Sequence, residues 1–125
     1  MIQAIQANVL LVEDEVLISD LVAGVLTEGG FNVHTVASAE DALTYLNSGS
    51  PVDVLFTDIN LADQMDGSQL ATRARELRPD LPIVYASGRY SASAIQPLVT
   101  RSVFLPKPYD PMTVCTLLTR LTMQH

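Results

Sequence analysis

The sequence places acidic, hydroxyl and ammonium side chains at the ends of four short apolar runs. Glu13 and Asp14 follow the run NVLLV, and Asp58 follows VDVLFT. Ser87 ends the run PIVYAS, and Lys107, the only lysine of the chain, follows SVFLP and precedes a second proline. If these runs are parallel strands, their carboxyl ends meet at one edge of a sheet, where α/β proteins collect their chemistry.

This set of side chains suits phosphoryl transfer. Clustered carboxylates destabilise one another unless a cation neutralises them, and Mg²⁺ binds hard oxygen ligands while taking only one or two carboxylates. The compact ammonium of Lys107 suits a phosphoryl oxygen or a carboxylate. A metal, a carboxylate, a hydroxyl and an ammonium are the parts of a phosphoryl-transfer site. Taken singly, each residue is better explained as a helix cap, a turn residue or a polar strand end, and only the combination favours chemistry.

The apolar runs predict the strands that position these residues. Five strands are expected, over residues 8–12, 31–36, 52–57, 82–87 and 102–106. The second is more polar than the others and is expected at an edge of the sheet. Strands that alternate with helices predict an α/β fold, in which a doubly wound parallel sheet carries helices on both faces.

Helical periodicity and capping residues predict the helices. Ser38 and Asp110 are expected to cap the second and last helices, and Gly29 is expected to end the first. The segment 89–101 contains a proline and predicts only a short helix. The buried face of the first helix is predicted to consist of Ile18, Leu21, Val22 and Val25, and that of the third of Gly67, Leu70, Ala71 and Ala74.

Composition limits the classes of protein that fit. The 125 residues are expected to form one domain, with its core at about residues 8–123, and 48% of them are hydrophobic. No apolar run approaches the roughly 20 residues of a membrane helix, and the N-terminus lacks the features of a signal peptide. Cys115 is the only cysteine, which excludes an internal disulfide and favours a cytoplasmic setting. The net charge of −7 disfavours direct binding to nucleic acid.

Four stretches in register resemble a known family. LLVEDE, VLFTDIN, VYAS and FLPKPYDP resemble, in order and spacing, the receiver domain of two-component response regulators. The resemblance covers nearly the whole chain and implies a flavodoxin-like (βα)5 fold with strand order 2-1-3-4-5. The chain ends soon after the last predicted helix, so it is expected to be either a stand-alone receiver or part of a longer regulator.

The resemblance implies a role for each matched residue around the acceptor. Asp58 is expected to take a phosphoryl group from a phosphohistidine on a histidine kinase or a histidine phosphotransfer protein. Mg²⁺ is expected to bind Asp14, Asp58 and the backbone carbonyl of Asn60 directly, and Glu13 through a water. Ser87 is expected to bond a phosphoryl oxygen after transfer.

Further implied roles concern the response to phosphorylation. Lys107 is expected to reach the acceptor across the site, and the family implies a cis peptide between Lys107 and Pro108. Phe104 matches the family's switch aromatic, while Asn60 and Arg89 occupy positions that tune phosphate lifetime. Phosphorylation is expected to change the surface around the segment 89–101, the fifth strand and the last helix, to which a downstream protein or a second copy of the chain would bind.

The sequence also departs from the family and leaves alternatives open. Ser87 stands where threonine is commoner, and the loop 60–67 is one residue longer than usual and lacks its usual proline. A pseudo-receiver that binds partners without phosphorylation is an alternative. An aspartyl-phosphate phosphatase is a less favoured alternative, because it would need a second aspartate where Asn60 stands. The sequence lacks the glycine-rich motifs of nucleotide-binding proteins and the Gly-x-Ser-x-Gly motif of serine hydrolases.

Overall fold

The computed structural model describes residues 6–61, 65–87 and 99–123. These ranges contain five strands and four helices, which alternate except that the last two strands follow one another in the described residues. The strands are β1 (Asn8–Val12), β2 (Asn32–Val36), β3 (Val54–Asp58), β4 (Ile83–Ser87) and β5 (Ser102–Pro106). The helices are α1 (Val16–Glu28), α2 (Ala39–Asn47), α3 (Gly67–Leu77) and α4 (Pro111–Met123).

All five strands pair in parallel in the order β2-β1-β3-β4-β5. Every residue of β3 and β4 is buried, because helices cover both faces of the centre of the sheet. The polar strand β2 lies at an edge, as predicted, and is largely exposed. The strand order and the flavodoxin-like architecture expected from the sequence are confirmed.

Two hydrophobic clusters, one on each face, hold the helices to the sheet. On one face α2 and α3 contribute small and branched side chains, and on the other α1 and α4 do so. The predicted face of α3 is confirmed, since all four of its members are buried. None of the helices in the described ranges combines the length and the apolar character needed to cross a bilayer.

Side-chain caps set the beginnings of three helices. The Ser38 hydroxyl accepts a hydrogen bond from the Asp41 backbone N–H at 3.1 Å, and Asp110 accepts one from Met112 at 2.9 Å. At α3, Asp66 and Gln69 form a reciprocal capping box. Both caps expected from the sequence are therefore present.

The predicted buried face of α1 is partly wrong. Val22 is buried as predicted, but Leu21 is 60% exposed, and the other buried residues are Ser19 and Leu26. Apolar residues occur on most sides of this helix, so periodicity could not choose among the rotations that packing decided.

The predicted limits of β1 and β5 are confirmed, and those of β2, β3 and β4 are off by one or two residues. The helix expected over 89–101 falls largely outside the described residues. Asp58 and Ser87 are the last residues of β3 and β4, whereas Asp58 was expected just beyond its strand. Residues 99–101, which the structure does describe, are not helical.

Candidate functional site

Backbone hydrogen bonds at the carboxyl edge of the sheet fix where the polar residues stand. The Glu13 N–H donates to the Val36 carbonyl at 3.1 Å, and the Lys107 N–H donates to the Ser87 carbonyl at 2.9 Å. The strand pairing places Asp58 beside Ala86 of β4. The end of β5 is thereby tied to the end of β4, and the end of β1 to the end of β2, so the predicted residues Glu13, Asp58, Ser87 and Lys107 meet at one edge.

Three carboxylates gather beside the end of β3. Glu13 is 5% exposed and Asp58 is 7% exposed, while Asp14 is half-buried. Each of the three offers a carboxylate oxygen, and these oxygens lie within 4.8 Å of one another. Burial raises the pKa of Glu13, and the nearby acids add to this rise against a hydrogen bond from Glu15 and the charge of Lys107.

Lys107 is the cation of this cluster. Its Nζ lies 3.0 Å from Asp58 Oδ2 and 3.7 Å from Glu13 Oε1. Burial opposes its charge, but the hydrogen bond and charge of Asp58, together with Glu13, outweigh burial and raise its pKa. The cis peptide predicted between Lys107 and Pro108 is present.

The donor set fits Mg²⁺. One ammonium against three carboxylates leaves the cluster with an excess of negative charge, which a divalent cation would neutralise. All three side chains offer hard oxygen donors at close quarters, as Mg²⁺ requires. Asn60 lies beside them, because its backbone N–H donates to Asp58 Oδ1 at 3.4 Å.

Ser87 stands at the same edge, at the end of β4. It is 1% exposed, and its hydroxyl oxygen accepts a hydrogen bond from Asn60 Nδ2 at 3.1 Å. Asn60 and Ser87, for which the sequence predicts different roles, are thus in direct contact. Phe104 lies half-buried on β5, against the core cluster that faces α2 and α3. Arg89 lies outside the described residues.

Sequence reasoning missed the part that Gly67 plays in the site. A Cβ atom built on Gly67 would collide with the Asp58 carbonyl oxygen and would lie 2.8 Å from Ile59 Cα. The Gly67 N–H also donates to the Ile59 carbonyl at 2.9 Å. The first residue of α3 therefore packs directly on the acceptor's backbone, an approach that only glycine permits. The sequence marked Gly67 merely as part of a buried helix face.

Tyr109, two residues after Lys107, is a second residue that the sequence did not single out. Its ring packs on Phe56 with centroids 5.7 Å apart. Burial, with the charges of Glu13 and Asp58, raises its pKa to about 12. The side chain is thus a neutral aromatic group near Glu13 and Asp58, packed against the cluster that faces α1 and α4.

Comparisons with known proteins agree with the resemblance drawn from the sequence. The family model described as the response regulator receiver domain matches residues 9–119. A crystal structure of a response regulator receiver protein from Sinorhizobium medicae superimposes with a TM-score of 0.87, at 34% identity and with 94% of each chain covered.

Two curated relatives are much longer proteins. The sensor kinase CckA of Brucella abortus is 34% identical over 83% of this chain, which spans 11% of that protein. The nitrogen assimilation regulatory protein NtrX of Azorhizobium caulinodans is 31% identical over 82% of this chain, which spans 23% of that protein. The likeness to both is therefore confined to a small part of each.

Proposed function

The chain belongs to the response regulator receiver family, and from this premise we propose that Asp58 accepts a phosphoryl group from a phosphohistidine on a histidine kinase or a histidine phosphotransfer protein. Receiver domains are signalling phosphoacceptors rather than classical enzymes. The observation that carries the proposal is the Asp58 carboxylate at the end of β3, 3.0 Å from Lys107 Nζ and grouped with Glu13 and Asp14.

In the proposed reaction an Asp58 carboxylate oxygen attacks the phosphorus atom. A P–O bond forms as the P–N bond of the phosphohistidine breaks, and the electron pair of that bond leaves with the imidazole. Asp58 needs no general base, because the ionised carboxylate is itself the nucleophile. Lys107 orients the carboxylate before attack and stabilises negative charge on the phosphoryl oxygens during it.

The carboxylates around Asp58 fit the Mg²⁺ that receiver domains bind at an acidic pocket. When bound, Mg²⁺ would neutralise charge on the transferring group and orient it. Asp14, Asp58 and the Asn60 carbonyl are proposed to hold it directly, and Glu13 through a water. The buried Glu13 also accepts the Glu15 N–H at 3.1 Å, which fixes its carboxylate towards the cluster.

Phosphorylation is proposed to act on the surface through Ser87 and Phe104. The new group adds negative charge and acceptor oxygens, towards which the Ser87 hydroxyl and Lys107 shift. Phe104 then turns inward, and the surface of β5, α4 and the segment before β5 changes as a two-state element. Asn60 and Arg89 are proposed to tune the lifetime of the phosphate. A downstream protein or a second copy of the chain in the cytoplasm would read this change.

The experiment that tests the proposal is intact-mass measurement after incubation with acetyl phosphate, with and without Mg²⁺. We expect one phosphoryl adduct that requires Mg²⁺ and is absent from Asp58→Asn. Asp20→Asn, which changes an exposed aspartate of α1, is the matched control and should form the adduct as wild type does.

Two other results would contradict the proposal. If acetyl phosphate and a phosphorylated histidine phosphotransfer protein produce no adduct and neither is consumed, the chain is a pseudo-receiver that binds partners without phosphorylation. If the donor is consumed and the adduct forms equally on Asp58→Asn, the acceptor is another residue.

A further inference from the structure

Tyr85 is a buried side chain of β4 whose hydroxyl reaches the chain just before β5. It is 0% exposed and has the largest volume of the fully buried residues in the described ranges. The backbone N–H of Val99 donates to its hydroxyl oxygen at 3.4 Å. Burial raises the pKa of Tyr85, and hydrogen bonds with Val99 and Ser102 only partly oppose this rise. The Tyr85 hydroxyl is therefore neutral near pH 7. Its hydrogen bond with Val99, called here the tether, connects β4 to the chain just before β5.

Residues 99–101 lead into β5, and together with Ser102, its first residue, they are called here the β5 entry turn. Arg101 has a φ of 56°, in the left-handed region that residues other than glycine adopt rarely. The Ser102 hydroxyl donates to the Val99 carbonyl at 2.6 Å, and Arg75 of α3 donates to the Arg101 carbonyl at 2.9 Å. A strained residue of this kind persists only where its surroundings hold it, and such residues concentrate in switch regions.

Tyr85 connects this turn to the two side chains proposed to respond to the phosphoryl group. It precedes Ser87 by two residues, so both side chains point to the same face of the sheet. It pairs with Phe104 in the β4–β5 register, and both rings pack against the cluster that faces α2 and α3. Neighbouring strands lie only about 4.8 Å apart, so an inward turn of Phe104 takes place against the Tyr85 ring.

We propose that Tyr85 is a positioning residue of the switch, a role that rests on the function proposed above. Its hydroxyl holds the β5 entry turn in the resting conformation, and its ring passes a change at Ser87 and Phe104 on to that turn. The interior is close-packed, so a ring fixed at β4 and at Val99 cannot shift without moving the turn. Phosphorylation of Asp58 therefore releases the turn by displacing the tether.

The test compares wild type, Tyr85→Phe and the control Tyr45→Phe by hydrogen–deuterium exchange over residues 99–106. Each protein is measured with and without acetyl phosphate and Mg²⁺, and the adduct is quantified by intact mass in the same samples. Tyr45 is a suitable control because it stacks on His34 beside β2, at the opposite edge of the sheet.

We expect Tyr85→Phe to speed exchange in the resting entry turn roughly three- to tenfold, the effect of losing one hydrogen bond. Phosphorylation should speed exchange there in wild type, but less in Tyr85→Phe, because its turn is already released. Tyr45→Phe should match wild type in both states. Ser102→Ala, which removes another bond of the same turn, should act in the same direction as Tyr85→Phe.

The outcomes separate this inference from the proposed function. Equal exchange rates in the resting entry turn of wild type and Tyr85→Phe would overturn the role of Tyr85. The same conclusion would follow if both proteins carried the adduct and phosphorylation raised their exchange rates equally. Absence of the adduct from wild type, read from the mass alone, would overturn the proposed function, and the role of Tyr85 in the switch would fall with it.

Discussion

The contact between Gly67 and the backbone of Asp58 makes a sharp prediction for the variant Gly67→Ala. The added Cβ would meet the Asp58 carbonyl oxygen and Ile59 Cα, which are both backbone atoms. Neither can rotate away as the end of a flexible side chain can. Either α3 or the end of β3 must therefore move, and the end of β3 carries the phosphoacceptor.

The expected change in the free energy of unfolding of Gly67→Ala follows from two opposing effects. Overpacking of a well-packed interior typically costs about 1–3 kcal/mol. Alanine is preferred over glycine inside a helix by about 1 kcal/mol, and by less at the first helical residue, where Gly67 stands. We expect a net loss of about 2 kcal/mol in the free energy of unfolding. For 125 residues, this loss lowers the Tm by roughly 8 °C.

Gly24→Ala is the matched control, because it makes the same change where there is room. Gly24 lies within α1, and nothing stands within 4 Å of a Cβ built on it. Relief of the helix penalty of glycine should stabilise this variant by about 0.5–1 kcal/mol. The two alanine substitutions should therefore shift the Tm in opposite directions in thermal unfolding followed by circular dichroism.

The same displacement should impair phosphorylation. A shift of the Asp58 backbone misaligns the carboxylate with Lys107, so the initial rate of adduct formation from acetyl phosphate should fall roughly tenfold or more in Gly67→Ala. Gly24→Ala should keep the wild-type rate. The reasoning would be refuted if Gly67→Ala were as stable and as reactive as wild type, or if Gly24→Ala were destabilised equally.

Three further predictions concern the site, a cap and the core. Lys107→Met leaves Glu13 and Asp58 without their cation, so with a chelator present it should lower the free energy of unfolding by about 2 kcal/mol. Mg²⁺ should restore part of this loss. Thermal unfolding with chelator and with Mg²⁺ would measure both effects. Asp66→Ala removes the side-chain cap of α3 and should cost about 1 kcal/mol in urea unfolding. Leu118→Ala opens a cavity at a fully buried residue of α4 and should cost about 2–5 kcal/mol, whereas Leu17→Ala, at a residue 84% exposed, should cost less than about 0.5 kcal/mol.

Each of these predictions has a result that would contradict it. An equal loss of stability in Lys107→Met with chelator and with Mg²⁺ would argue against a cation site at the three carboxylates. An Asp66→Ala protein as stable as wild type would show that the capping box contributes nothing measurable. Similar losses in Leu118→Ala and Leu17→Ala would conflict with the burial that separates them.

Local patterns in the sequence were sufficient for much of the fold. Apolar runs identified β1, β3, β4 and β5, because strands covered by helices need mostly apolar side chains. A more polar run identified β2, which lies largely exposed at an edge of the sheet. The hydrogen-bonding groups of Ser38 and Asp110 identified two helix starts. For α1, however, the periodicity selected Leu21, which is exposed, and missed Ser19, which is buried. A helix that is apolar on most sides carries too little local information to fix its rotation.

For the candidate site, too, the sequence predicted some features and left others to tertiary packing. The sequence by itself determined which chemical groups are available, namely Glu13, Asp14, Asp58, Ser87 and Lys107, and that strand ends carry them, because strand alternation and residue type are local properties. The strand order came from the family resemblance, not from the pattern of residues.

Only the tertiary structure decided the distances on which function depends. Three contacts show this: the 3.0 Å ion pair of Lys107 with Asp58, the contact of Gly67 with the Asp58 backbone, and the hydrogen bond from Val99 to the Tyr85 hydroxyl. Each joins residues from separate segments of the chain. Such contacts depend on how whole helices and strands pack as rigid bodies. No single segment encodes that packing, because it minimises the free energy of the chain as a whole.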